Sequence, residues 1–382
     1  MSTYGLDRPC RFLTRPIHSL IMCRLISTQL NKLNQHNQHN QHSKLNQLNK
    51  PRWMKMRKSL FITLLMIEFF MIGCTAPKIR LFPSHEDPLQ EFTLEGKAKQ
   101  KVLVIPVRGI ISNAPREGFV RSRPSMVQEV VAQLRLAAKD ENVKAVILKI
   151  DSPGGSVTAS DIIYNEIKVF KERTGATVVA AMMGLTASGG YYISLPADFI
   201  LAHPTTITGS IGVIFRRPRV TGLMNKVGIA IEVNKSGKNK DIGSPFRAAT
   251  AEEEKIFQDL TDRLAVRFID LVAKHRKLEP EVIGEIATAR VYLADEALEL
   301  GLVDEIGYLE KAVFQAKKMA RLPEDARVVV YRRTEYPDDN LYNTSTRYDE
   351  GHGSLISLEL PGSLNHITTG FYYLWPAAAM AD

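Results

Sequence analysis

The sequence predicts an α/β fold, and three observations predict it. Two apolar runs, VKAVILKI at 143–150 and ATVVAAMM at 176–183, have the composition of strands buried on both faces of a parallel sheet. Each run ends in a turn of small residues, Asp151–Ser156 after the first and Thr186–Gly190 after the second. Each turn opens a helix-like stretch, the layout of a crossover α/β unit. In such a unit both turns lie at the carboxyl ends of neighbouring strands, so they are expected to face each other across one cleft.

Residues 1–53 carry the polar tract NQHNQHNQH and cannot bury a core; they are expected to be a disordered or non-native upstream extension, with the true start at Met54 or Met56. From there Lys55, Arg57 and Lys58 precede an apolar run at 59–73 that contains one acid, Glu68. A bilayer span needs about 20 apolar residues, so 54–73 reads as a signal peptide. Gly73 before Cys74 resembles a bacterial lipobox, which makes Cys74 the lipidation candidate; the rival reading is an uncleaved membrane anchor. Either way the remainder is expected in the bacterial cell envelope, held at a membrane on the periplasmic side. Residues 74–98, with Pro77, Pro83 and Pro88, read as a tether.

The folded domain is expected over 99–331. KVLVIPVRGII at 101–111 is a strand pattern broken by Pro106 and Gly109. Val127, Val130, Val131 and Leu134 recur at helical spacing within 126–139. The strand at 143–150, a helix over Thr158–Arg173 and a strand over Thr177–Met182 follow. Short strands are expected at Ala197–Ala202, Ser210–Val213 and Ala230–Val233, the last leading into a polar loop at 234–247. Thr250 with Glu253 has the form of a capping box and opens a helix to about His275. Arg290–Tyr292, Ala294–Leu300 and Leu302–Ile306 read as strand, helix and strand, Glu310–Met319 as a helix and Val328–Tyr331 as a strand. Residues 332–382 read as a polar, mobile tail. Its end, Phe371–Asp382, either docks in a groove as a pseudo-substrate or stays unordered, the second being the default.

Composition narrows the function classes. The formal net charge is +9, but eleven of the 50 Lys and Arg lie in 1–58 against one acid there. With Glu68 also set aside, residues 74–382 hold 39 basic and 39 acidic residues, so the basic balance belongs to the leader and nucleic acid is not expected as a partner. The cysteines are Cys10, Cys23 and Cys74, so nothing beyond Cys74 can form an intrachain disulfide or a thiolate metal site. Neither metal nor cofactor is expected.

The chemistry centres on Ser188. At a strand-to-helix turn its hydroxyl can point outward, and the next residue's N–H can face a developing oxyanion. Gly154 and Gly155 can bring further N–H groups close. A serine nucleophile needs a base. His203 lies at a strand end, and a triad with Asp151 or Asp198 can be drawn, although nothing in the spacing aims it at Ser188. The loop NKSGKNKDIGS offers Lys235, Lys238 and Lys240 instead. A lysine serves as base only when neutral, and moving its pKa from ~10.4 to near 7 takes about 4–5 kcal/mol, which requires burial. The residues alone do not choose among the three.

DSPGGSV, TASGGYYIS, TITGSIGV and KSGKNKDIGSPFR, in this order, resemble the S49 peptidases, the signal peptide peptidase A (protease IV) family. ARVYLADEALELGLVDEIG is similar to the closing segment of the wider ClpP/crotonase superfamily. The resemblance implies a ClpP/crotonase-like superhelix of ββα repeats with helical appendages, in the short form with one catalytic unit. It implies Ser188 as nucleophile, Lys240 as general base, Gly155 and Gly189 as oxyanion-hole donors, and Ser210 as the residue that holds the lysine amine. It further implies a homo-oligomer whose sites are shared between subunits, acting on hydrophobic peptides such as signal-peptide remnants. Two rival readings remain: a catalytically idle scaffold that binds membrane proteins, and an acyl-CoA enzyme of the crotonase type, which the leader disfavours.

Overall fold

The computed structural model describes residues 87–115, 124–336, 338–343 and 369–377. The upstream extension, the signal segment, Cys74 and much of the tether and tail lie outside the described residues. A nine-stranded sheet runs in the order β1 (Gln90–Glu95), β11 (Arg327–Arg332), β2 (Lys101–Arg108), β3 (Val143–Ser152), β5 (Thr177–Ala187), β6 (Phe199–Ala202) and β10 (Glu305–Ile306). β7 (Ile207–Gly209) pairs with the carboxyl end of β5 and with β9 (Val291–Leu293). From β11 to β10 along the main path every pairing is parallel; β1 joins β11 antiparallel.

The period of two in a strand explains the two cores. On β3, Val146, Leu148 and Ile150 enter one apolar cluster. That cluster packs on α1 (Met126–Ala137), α2 (Val157–Thr174) and α5 (Ala251–Arg276) through Val130, Ile163, Ile167, Phe268 and Val272. Ala145 and Ile147 enter a second cluster, with Leu309, Val313 and Ala316 of α8 (Leu309–Met319). Leu148 is fully buried, and Leu148→Ala should cost about 2–5 kcal/mol, read as a lower urea midpoint with an unchanged slope.

Lys149 takes the next position on the second face and is only 5 % exposed. Its Nζ donates to the carbonyl oxygens of Leu341 (2.7 Å) and Asn343 (3.2 Å). Burial pushes this ammonium down to about 8. The contact pins 341–343 against that face of the sheet.

Other helices are α3 (Gly189–Ser194), α4 (Thr221–Val227), α6 (Pro280–Ile286) and α7 (Ala294–Glu299). The capping box at α5 is present: Thr250 accepts from the Glu253 N–H, and the Glu253 side chain accepts from the Thr250 N–H. Among the described residues no helix is long and apolar enough to cross a membrane.

Four expectations are corrected. Residues 90–95, inside the expected tether, form β1. Ser210–Val213 is irregular, and strands flank it as β7 and β8 (Ile214–Arg216). Ala230–Val233 is not a strand but an exposed stretch without regular structure, because no sheet edge is offered to it and β-propensity alone does not hold a strand. Within the tail, Gly370–Leu374 forms β12, the middle strand of a three-stranded sheet with β4 (Gly154–Ser156) on one side and β8 on the other. β12 runs antiparallel to both.

Candidate active site

The turn after β3 is built by backbone packing. The Ser152 hydroxyl donates to the Gly109 carbonyl (2.7 Å) and accepts from the Gly154 N–H (3.1 Å). Ile111 bridges the next residues: its N–H donates to the Gly154 carbonyl (2.9 Å), and its carbonyl accepts from Ser156 (3.0 Å). In an extended strand the groups of Gly155 must then point the other way, toward β12. A Cβ on Gly155 would stand 1.8 Å from the Ile111 oxygen, so only glycine fits between these two backbones.

The second turn carries Ser188 on strained backbone, at φ 53° and ψ −113°. Such a conformation is costly for a residue with a side chain and persists only where surroundings impose it. Here they do. The Ser188 N–H donates to the Gly209 carbonyl of β7 (2.8 Å), and the Ser188 carbonyl accepts from Tyr192 (2.9 Å). Thr186 and Thr208 lock the strands beneath, Thr208 Oγ1 donating to the Thr186 carbonyl (2.6 Å) and Thr186 Oγ1 to that of Ile150 (2.9 Å). Ser188 is 1 % exposed, and its Oγ has no hydrogen-bond partner among the described residues.

Of the predicted site residues, the structure brings Ser188, Gly155, Gly189 and Ser210 together. A Cβ on Gly189 would lie 3.1 Å from the Gly154 Cα, so the two small-residue turns touch. Ser210 follows the carbonyl that holds Ser188, has φ 52°, and its N–H donates to the Arg290 carbonyl (2.8 Å).

The histidine alternative does not assemble. His203 Nδ1 meets Thr205 (2.9 Å), Asp198 accepts from Lys171 (2.7 Å) and the Val178 N–H (2.9 Å), and Asp151 accepts from the Leu185 N–H (3.0 Å). Each is committed to holding backbone or a neighbour.

The lysine loop sorts itself by ion pairs. Lys235 binds Asp241 (2.7 Å) and Lys238 binds Glu252. Lys240 is exposed and its Nζ has no partner among the described residues. Among the described residues Lys240 makes no contact with Ser188. The loop is nonetheless braced, by residues that sequence reading missed. Arg247 Nε donates to Asp241 (2.7 Å), and its Nη atoms donate to Glu253 (2.8 and 2.5 Å). Arg247, then Lys235, hold the Asp241 carboxyl well below its usual range, and Arg247 does the same for Glu253. The residue next to Lys240 is thereby tied to the first turn of α5. Removal of this brace by Arg247→Ala should lower kcat/KM about a hundredfold through misplacement of the loop, with little change in thermal midpoint. Carboxylates with depressed values stabilise the brace in full above their unfolded values of 3.8 and 4.5 and lose that contribution as pH falls through the folded ones. Protection factors across 235–247, with exchange taken relative to the intrinsic rate at each pH, should therefore fall below about pH 4 while those of the sheet hold.

The chain is similar to several known proteins. The Clp protease family model matches residues 120–206 and the model of Peptidase family S49 matches residues 171–323. A putative signal peptide peptidase SppA of Enterococcus faecium is 34 % identical over 253 residues, covering 66 % of this chain and 73 % of that protein. Protease 4 of Haemophilus influenzae is 35 % identical over 246 residues, 64 % of this chain but 39 % of the relative. Among solved structures, the N165D mutant of ClpP1 from Listeria monocytogenes aligns over 56 % of this chain and 95 % of its own, with 21 % identity and a TM-score of 0.36. The fold is the ClpP/crotonase-like α/β type. The chain belongs to peptidase family S49 and is a serine peptidase.

Proposed function

We propose that the chain is a membrane-held endopeptidase with a Ser188–Lys240 dyad, in which the lysine of one copy serves the serine of its neighbour in a homo-oligomer. The observation that carries this reading is the Ser188 hydroxyl: buried, without a partner, and held on strained backbone between two glycine turns. A buried hydroxyl ordinarily has a partner, and its lack here supports a base brought to it from a second copy. Lys240 stands exposed on a braced loop, and the apolar stretch beside it leaves Ile229, Ile231 and Val233 exposed as well. Packing of that face on a second copy desolvates the amine, which is what a neutral lysine at physiological pH requires.

The reaction then runs by acyl transfer. Ser188 Oγ attacks the peptide carbonyl carbon while its proton passes to Lys240 Nζ. The N–H groups of Gly155 and Gly189 stabilise the oxyanion, and the Ser210 hydroxyl accepts from the amine to hold it in place. The C–N bond breaks as Lys240 protonates the leaving amine. Water, deprotonated by Lys240, attacks the acyl ester; the acid departs and Ser188 recovers its proton. The substrates are extended hydrophobic peptides, signal-peptide remnants among them, met at a membrane of the cell envelope on its periplasmic side. A fluorophosphonate probe with peptide mapping tests the reading: the adduct is expected on Ser188 and should be lost in Lys240→Ala. A folded protein that takes no adduct at Ser188 overturns it.

A further inference from the structure

We propose that a cavity between residues 217–219 and the lysine loop binds a phosphate group, and that the bound anion fastens this loop to the segment that leaves β8. The cavity measures about 210 Å³ and is lined by Arg217, Arg219, Gly243, Ser244 and Arg247 among others. One wall is the segment after β8; the other is the end of the loop that carries Lys240. The Val220 N–H donates to the Pro245 carbonyl (2.9 Å) and joins the two walls. Phe257 of α5 supports both. The Arg217 guanidinium lies over its ring, 4.9 Å from the centroid. Gly243, at φ 79°, comes so near that a Cβ there would stand 3.2 Å from the same ring.

Charge around this cavity is unevenly matched. Lys235 and Arg247 share Asp241, and Arg247 also binds Glu253. Lys238 binds Glu252 and Arg217 binds Glu254. The acids of this corner are thus already joined to cations. Arg219 is exposed and has no carboxylate among the described residues. Arg217 commits one Nη to Glu254, and its other N–H groups have no partner among the described residues. The Ser244 Oγ accepts from the Phe246 N–H (3.3 Å), so its own proton is available to a ligand. Two guanidinium groups and a hydroxyl therefore line one cavity with donors to offer. A carboxylate presents two oxygens in one plane and fills one guanidinium fork. A phosphate presents its oxygens as a tetrahedron, so each donor group can take one of its own. The volume equals the liquid share of roughly seven waters, which leaves room for an ester group on the phosphate. Free phosphate and the phosphate of a lipid headgroup present the same chemistry to these donors.

The test titrates inorganic phosphate into the full chain by calorimetry, with chloride holding the ionic strength constant. Phosphate should bind saturably, and protection factors across 241–249 should rise with occupancy. Arg219→Ala removes an exposed guanidinium, touches no catalytic residue and should weaken phosphate about ten- to a hundredfold. Arg219→Lys keeps the charge without the fork and should fall between the two. Equal affinity in wild type and Arg219→Ala overturns the site. So does the lack of saturable binding to wild type, or acetate that binds as tightly as phosphate. Vesicles distinguish the two sources of the anion. If phosphatidylglycerol vesicles bind wild type more tightly than Arg219→Ala, a lipid headgroup is the ligand. If the variant binds those vesicles as wild type does and loses only inorganic phosphate, the ligand is a soluble phosphate. Phosphate binding does not depend on which group deprotonates Ser188 and should persist in Lys240→Ala. Failure of the dyad therefore leaves this site standing, and failure of this site leaves the dyad untouched.

Discussion

Ser188→Ala is expected to lower peptide hydrolysis about a million-fold, the scale seen when a serine nucleophile is deleted from its catalytic group. Stability should move in the opposite sense to activity. The Oγ has no partner among the described residues, so its removal breaks no hydrogen bond there and ends the burial of an unsatisfied hydroxyl. Such a change is neutral or stabilising by about 1 kcal/mol. Ser188→Gly should add to this, since glycine meets φ 53° with no side-chain penalty. A rise in thermal midpoint with loss of turnover identifies a site strained for function. A fall in both would mean that Ser188 holds the turn together and does no chemistry.

Lys240→Ala should be as damaging to turnover, and the double variant no worse than either single one, because the two groups act as a unit. The more telling experiment mixes two dead proteins. Each site is proposed to draw its serine from one copy and its lysine from the next. Co-assembly of Ser188→Ala with Lys240→Ala should therefore restore about a quarter of wild-type sites when subunits distribute at random. Recovery can arise only if the dyad spans subunits. A mixture that stays inactive while mass measurement shows mixed oligomers removes the shared-site proposal and leaves Lys240 without a route to Ser188.

Much of the scaffold was legible because its strands are buried on both faces. VKAVILKI and the run after Thr177 can hardly be anything but central parallel strands, and β3 and β5 are that. The capping box of Thr250 and Glu253 needs only local chemistry and was equally plain. What failed to show depended on partners distant in sequence. β1 exists because β11, more than two hundred residues later, offers it an edge. β12 exists because β4 and β8 leave a gap one strand wide. Ile229–Val233 has strand composition and no edge to join. At the site, the glycine turns and Ser188 could be read from the order of small residues. Which lysine of the loop stands without an acid beside it could not, since that turns on the acids the fold sets beside Lys235 and Lys238. Arg247 closes the motif KSGKNKDIGSPFR, but its role as a brace emerges only once Asp241 and Glu253 are neighbours.

Gly155, wedged against the Ile111 carbonyl, leaves one wall of the groove with no side chain to discriminate by. Under the proposed function a substrate strand paired with that wall would meet amide groups alone, so the wall would reject chiefly proline, whose missing N–H leaves the Pro153 or Gly155 carbonyl without its mate. Indifference to the side chain along that wall and refusal of proline at alternate positions would then have a single origin. An atlas of cleavage products from a random peptide library should display both.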